Sequence, residues 1–186
     1  MIIVDILKNG GIGVIPTDTI YGIVCSAINK KSVEKLYKLR KRNPKKPFII
    51  LISSINDLKL FNVKPNVKIK NILKNIWPNK VSVILPCPYK KFSYLHRGTK
   101  TLAFRMPAKK ELIDLIKKVG PISAPSANPE GQKPASNIKE AIKYFGDKVD
   151  FYVDGKEAKN IPSTLIKLDK KGDIEVLRQG AAKISI

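Results

Sequence analysis

Apolar residues recur along the chain at two spacings, which alternate. In IIVDILKNGG, Ile2, Ile3, Ile6 and Leu7 share one helical face, and the glycine pair stops the run. IGVIP follows as a short β-rich run ended by proline. In KKSVEKLYKLRKR, Val33, Leu36, Tyr37 and Arg40 fall at i, i+3, i+4 and i+7, which predicts a helix with one apolar face and a basic remainder. PFIILIS then reads as a buried strand, SINDLKLF as a helix opened by Ser53 or Ser54, VKIKNILKNIW as a second amphipathic helix, and KVSVILP and TLAFRMP as strands. KKELIDLIKKVG predicts a helix closed by Gly120, and PISAPSAN a buried strand running into polar residues. NIKEAIKYFG predicts a helix capped by Ser136 or Asn137 and stopped by Gly146. VDFYVDG, STLIKLD and IEVLRQG complete the chain as three strands. This order predicts an α/β fold, a twisted mixed β-sheet with flanking helices. At 186 residues and 43% apolar content, residues 1–186 are expected to form a single domain.

The predicted strands share an ending. VIP runs into TDT, ILP into CPYK, TLAFR into MP and ISAP into SAN, so apolar runs give way to proline and then to small polar or cationic groups. In open α/β sheets ligands collect beyond strand ends, where loops offer hydroxyls and backbone N–H groups without breaking the core. Thr17, Asp18 and Thr19 of PTDTIYG therefore offer two hydroxyls and a carboxylate to a polar small molecule; alternatively, Thr17 or Asp18 caps a helix beginning near Ile20. No GxxxxGK[ST] or GxGxxG segment is present, so any nucleotide site here must use a design other than a P-loop or a dinucleotide fingerprint.

Charge adds a direction. Thirty-six Lys and Arg against 15 Asp and Glu give +21, a field that attracts polyphosphate in either nucleotide or nucleic acid form; the lysine excess also travels with the many Asn and Ile that an AT-rich coding bias produces. Two cysteines and one histidine supply neither a disulfide framework nor a zinc site. The N-terminus has no secretory pattern and no apolar run reaches the ~20 residues that span a bilayer, so a cytoplasmic protein with no membrane association is expected.

Three further clusters carry candidate chemistry. Arg40, Lys41, Arg42, Lys45 and Lys46 in LRKRNPKKPF crowd the passage from a helix end to a buried strand. They form either a solvated, dipole-favoured face or a clamp for a triphosphate. SAPSANPEGQKPAS offers Ser123, Ser126, Asn128 and Ser136 in a Pro- and Gly-rich interval, as a turn or as a nucleotide loop. Ser163 and Thr164 open one strand, and Arg178 closes another.

The ordered set PTDTIYG, RKRNPKKPFIILI, WPNKVSVIL, TLAFRMP, APSAN, VDFYVDG, PSTLIKL and LRQGA, from about Ile6 to Ala181, resembles the YrdC domain of the threonylcarbamoyl-AMP synthases, in its short form. The resemblance implies a reaction of L-threonine, bicarbonate or CO2, and ATP that gives threonylcarbamoyl-adenylate and pyrophosphate, with magnesium carried on the polyphosphate. The product serves tRNA threonylcarbamoyl-transferase proteins downstream, and a weak tRNA contact is possible. Position by position, the resemblance implies that Thr19, Arg105 and Ser163 bind threonine. It gives nucleotide contacts to Arg42, Lys46, Thr101, Ser126, Asn128, Ser136 and Arg178. It assigns no acid or base and no protein metal site. Arg40, Lys41 and Arg42 are expected to act electrostatically, with either Arg40 or Lys41 filling a position where the family carries lysine.

Departures accompany the match. Leu51 stands where some relatives place a threonine-contacting histidine, and WPNK replaces WPGP. His96 reads as a surface or packing residue, and Cys25 as a small core residue. Two other classes compete: an RNA-binding module without turnover, and a carbamoyl-transfer domain of hydrogenase-maturation type. The first finds no RNA-binding signature and only 7% aromatics.

Overall fold

The computed structural model describes residues 2–155, 158 and 161–184. Nine strands form one mixed sheet: β1 (Ile12–Pro16), β2 (Tyr21–Ser26), β3 (Ile49–Leu51), β4 (Val81–Pro86), β5 (Thr101–Arg105), β6 (Ile122–Ser123), β7 (Phe151–Tyr152), β8 (Thr164–Leu168) and β9 (Ile174–Arg178). Their order across the sheet is β7-β1-β2-β6-β3-β5-β4-β8-β9. Six α-helices accompany it: α1 (Ile2–Lys8), α2 (Lys30–Leu39), α3 (Val67–Ile76), α4 (Ser93–His96), α5 (Lys110–Val119) and α6 (Ile138–Phe145).

Local chemistry sets the helix starts. The Asn29, Asn66 and Asn137 side chains accept from the backbone N–H three residues on, each satisfying one orphan donor of α2, α3 and α6. Asn137 is thus the cap of α6, while the N–H and hydroxyl of Ser136 both donate to the Glu140 carboxylate. Residues 55–61, expected as an α-helix, form a 3-10 helix capped by Ser54. Its buried residues, Leu58 and Phe61, lie three apart, the spacing that one face of a 3-10 helix eclipses. No helix starts near Ile20. The segment after it is β2, all six residues of which are buried, so no alternation marks it in the sequence.

The two faces of the sheet are covered unequally, and this creates the site. On one face α2, α3 and α6 contribute Val33, Leu36, Ile69, Leu73, Ala141 and Phe145 to the main core, against Val83, Phe104 and Ile166 of the central strands. On the other face α1 and α5 pack Leu7, Leu112, Ile116 and Val119 onto Ile15, Val24, Leu51 and Ile122 of β1, β2, β3 and β6. Each fully buried aliphatic side chain contributes about 1.5–3 kcal/mol of transfer free energy. Beyond that second cluster, Ile84, Thr101, Ala103 and Leu165, which alternate with buried neighbours on β4, β5 and β8, are only half covered. Ile49 pairs with Ala103, and Ala103 with Ile84, which makes a continuous row across three strands. No helix among the described residues is long and apolar enough to cross a membrane.

Candidate active site

That half-covered row floors a cleft of about 490 Å³. Thr19, Arg40, Arg42, Thr101, Arg105, Ser126, Ser163 and Arg178 all line it, so eight of the sequence-derived candidates converge although they come from six separate segments. Four lining residues are arginines, and no Asp or Glu lines it among the described residues.

The β1–β2 turn explains the small oxygen-bearing side chains of PTDTIYG. Pro16 pairs with Tyr21, leaving four residues to reverse the chain. The Thr17 hydroxyl donates to the Ile20 carbonyl at 2.6 Å and accepts from the N–H groups of Thr19 and Ile20, so it closes the turn. Asp18 does not face the cleft as a ligand group. Its Oδ1 takes Arg105 Nη1 at 2.8 Å and its Oδ2 takes the Ala108 N–H. Arg105 Nη1 also donates to the Thr19 hydroxyl at 3.2 Å. Both charged side chains are about 5% exposed or less. Burial pushes the Arg105 pKa down and Asp18 opposes that shift. Nη1 is committed to the turn, whereas Nε is buried without a hydrogen-bond partner among the described residues.

The opposite wall is built on Arg40, the C-cap of α2. Its Nε donates to the Asn128 carbonyl at 2.9 Å, and its Nη2 to the Ser126 hydroxyl and the Asn128 side-chain oxygen. Burial, with Arg42 nearby, lowers its pKa to about 10. Arg40 and Ser126 reach the cleft, while Asn128 stands behind them as a holder of Arg40 rather than a lining group. Lys41 turns out of the cleft: it is exposed in a left-handed conformation (φ 49°), so Arg40 is the member of the pair that faces the site. Glu130, unremarked in the sequence, ties the basic loop together through Arg42 Nη1 (3.2 Å), Lys46 Nζ (3.1 Å) and the Asn43 N–H (2.5 Å). The Asn43 N–H and the Lys46 ammonium hold its carboxyl below the usual range. Lys46 itself is exposed and does not line the cleft. Ser136 lies in an adjoining groove of about 450 Å³ that shares only Pro134 with the cleft, and its hydroxyl is engaged by Glu140.

A third wall comes from the last two strands. The Ser163 and Ser82 hydroxyls are 2.8 Å apart, and Arg178 Nη2 donates to the Ser163 carbonyl at 2.8 Å. Thr164 faces elsewhere: its hydroxyl donates to the Ala182 carbonyl and accepts from the Gly180 N–H. Gly180 is needed here, since a Cβ would fall 2.3 Å from the Pro162 oxygen and 2.5 Å from the Ser163 carbonyl carbon. Burial lowers the Arg178 pKa.

The other candidates are structural. Leu51 is fully buried in the second apolar cluster. His96 is buried at the end of α4, where Nδ1 accepts from the Gly98 N–H, so packing rather than surface is its place. Cys25 is buried and its thiol pKa is pushed up by burial. Trp77 donates its indole N–H to the Val81 carbonyl at 2.8 Å, closing the WPNK turn.

Fold and cleft together define an open, mixed α/β protein with an arginine-lined cleft above the half-covered part of its sheet. Residues 5–180 match the model of the Sua5/YciO/YrdC family, described as telomere recombination, and the chain belongs to that family. Threonylcarbamoyl-AMP synthases of Bacillus subtilis and Pyrococcus abyssi are 31% and 28% identical to it, over 81% and 87% of this chain. The chain spans about half the length of these curated relatives, 44% and 48%. A putative threonylcarbamoyl-AMP synthase of Methanocaldococcus jannaschii is 30% identical over 96% of this chain and 84% of its own. The P. abyssi Sua5 structure complexed with L-threonine superposes with a TM-score of 0.87 at 28% identity, over 96% of this chain and 53% of that one. HypF of T. kodakarensis, at 20% identity and a TM-score of 0.80 over 96% of this chain and 23% of its own, shares the fold.

Proposed function

We propose that this protein is an L-threonylcarbamoyladenylate synthase, converting L-threonine, bicarbonate and MgATP to threonylcarbamoyl-AMP, pyrophosphate and water. One observation carries the reading. Among the described residues, Arg105 is gripped on one edge by Asp18 and Thr19, with its Nε unpartnered, inside a cleft that Arg40, Arg42 and Arg178 also line and no carboxylate enters.

In this reading the Nε–Nη2 edge of Arg105 receives the threonine carboxylate as a two-pronged fork, a planar match that lysine does not offer. Thr19 and Ser163 flank the amino acid. Threonine's amine first takes up carbon dioxide from bicarbonate as a carbamate. A carbamate oxygen then attacks the α-phosphorus of ATP, and the bond to pyrophosphate breaks. Negative charge grows on phosphoryl oxygens, so positioned guanidiniums and donors serve the step better than a strong base. Arg40, Arg42 and Arg178, with Thr101 and Ser126, act on the nucleotide; Asn128 acts through Arg40. Lys46 and Ser136 join when the polyphosphate and nucleoside draw them in. Magnesium comes as part of MgATP, held by phosphate and water.

We further infer that residues 1–186 act as one domain, a reading supported by the single sheet. We place its work in the cytoplasm, where the adenylate passes to tRNA threonylcarbamoyl-transferase proteins; a weak tRNA contact would draw on the +21 charge. The test is pyrophosphate release from ATP with threonine and bicarbonate each omitted in turn. Dependence on both supports the synthase. Dependence on carbamoyl phosphate instead would favour the hydrogenase-maturation type of transfer, and tight RNA binding without turnover would favour a binding module.

A further inference from the structure

Arg97 lies outside the cleft, yet its placement ties two cleft walls together. It is the C-cap of α4 in a left-handed conformation (φ 50°, ψ 35°), disfavoured for a residue with a Cβ. Gly98 and Lys100 also have positive φ. His96 fixes this turn: its carbonyl accepts from the N–H and the hydroxyl of Thr99, at 2.9 and 2.7 Å. The turn delivers Thr99 and Thr101 to the cleft.

The Arg97 side chain takes a different course, onto α2. Its Cζ lies 3.8 Å from the centroid of the Tyr37 ring, and its Nη2 lies 3.0 Å from Glu34 Oε1. The side chain is 14% exposed, so the stacked cation is largely desolvated. Tyr37 in turn stacks on Phe48, with centroids 4.0 Å apart and planes at 21°, and its hydroxyl donates to the Lys46 carbonyl at 3.0 Å. Phe48 lines the cleft, and the Arg40 guanidinium carbon lies 5.8 Å from its ring. Arg97, Tyr37 and Phe48 therefore form one stack, running from the turn that carries Thr99 and Thr101 to the loop that carries Arg40, Arg42 and Lys46.

We propose that Arg97 is a positioning residue for the nucleotide, fixing the separation of these two cleft walls by its stack on Tyr37. It touches no substrate and acts through Tyr37 and Phe48. The inference rests on the nucleotide half of the proposed function, and the amino-acid half lies outside its reach, because Arg105 is held by Asp18 and Thr19.

The test is calorimetric titration of the full chain with MgATP and, separately, with threonine. Arg97→Ala is expected to raise the Kd for MgATP about tenfold, the scale of a desolvated cation–π contact, with the threonine Kd within about twofold of wild type. Arg97→Lys keeps a cation beside Glu34 but not the flat face, and is expected to raise the MgATP Kd at least about threefold. Should Arg97→Ala fail to fold, Arg97→Lys carries the test. Glu34→Gln, which leaves the stack in place, should change neither Kd more than about twofold. An unchanged MgATP Kd in the folded Arg97 variants overturns the proposal, as do equal losses for both ligands or a Glu34→Gln effect as large as Arg97→Ala. A wild-type protein that binds no MgATP overturns the nucleotide reading along with it. Wild type that binds MgATP without threonine-dependent turnover overturns only the reaction proposed above.

Discussion

Arg105 and Arg42 both line the cleft and both meet a carboxylate from a distant part of the chain, but the two pairs differ in kind. Arg105–Asp18 is a 2.8 Å contact between side chains 4% and 5% exposed; Arg42–Glu130 is a 3.2 Å contact with both partners 25% exposed, shared with a still more exposed Lys46. A buried pair cannot open without leaving an unsolvated charge, whereas a rim pair trades its partner for water or a ligand at little net change. One end of the cleft is therefore a fixed gauge, suited to a small ligand of constant charge. At the other end cations rest on Glu130, and under the proposed function a polyphosphate would take its place.

The largest break in this contrast is Arg105→Ala. It strands the Asp18 carboxylate, so unfolding stability is expected to drop by about 3–5 kcal/mol in denaturant titration. Threonine-dependent kcat/KM is expected to fall at least about 100-fold, the cost of losing a charged two-pronged contact, with MgATP affinity held within about threefold. Equal losses for both substrates would show that the carboxylate fork is misassigned. Asp18→Asn comes next: it keeps an acceptor but drops the charge that orients Arg105, and the threonine KM should rise about tenfold at unchanged MgATP KM. Arg42→Ala reverses the pattern, weakening MgATP about tenfold in a binding titration without moving threonine. Glu130→Gln is the smallest effect, an MgATP Kd within about threefold of wild type and an unchanged folding midpoint. A Glu130→Gln variant as unstable as Arg105→Ala would erase the distinction between the two ends.

Much of this was legible in the sequence, for identifiable reasons. β5 announces itself because Thr101, Ala103 and Arg105 alternate with buried Leu102 and Phe104, so the same pattern that predicts the strand predicts its cleft face. Arg40 occupies the i+7 slot of an apolar helical stripe, and it is indeed buried. β2 escaped because it is buried throughout and lacks any period. Asp18 read as a ligand group because its partner lies 87 residues away, and no local pattern reports a contact of that span. Glu130, between a proline and a glycine, reads as an ordinary solvated charge. The resemblance implies nucleotide contacts for Lys46 and Ser136, yet in the structure they are engaged by Glu130 and Glu140.

A chamber walled, among the described residues, by four guanidiniums and no carboxylate is an ion exchanger in miniature. Guanidiniums keep their charge across the physiological pH range, so protons have little grip on its occupancy. Dissolved salt does: under the proposed function each arriving nucleotide would displace the small anions that such a field gathers, and rising ionic strength shortens that field's reach. Sulfate and inorganic phosphate should accordingly compete with ATP, and pyrophosphate, more highly charged, should be the slowest species to leave.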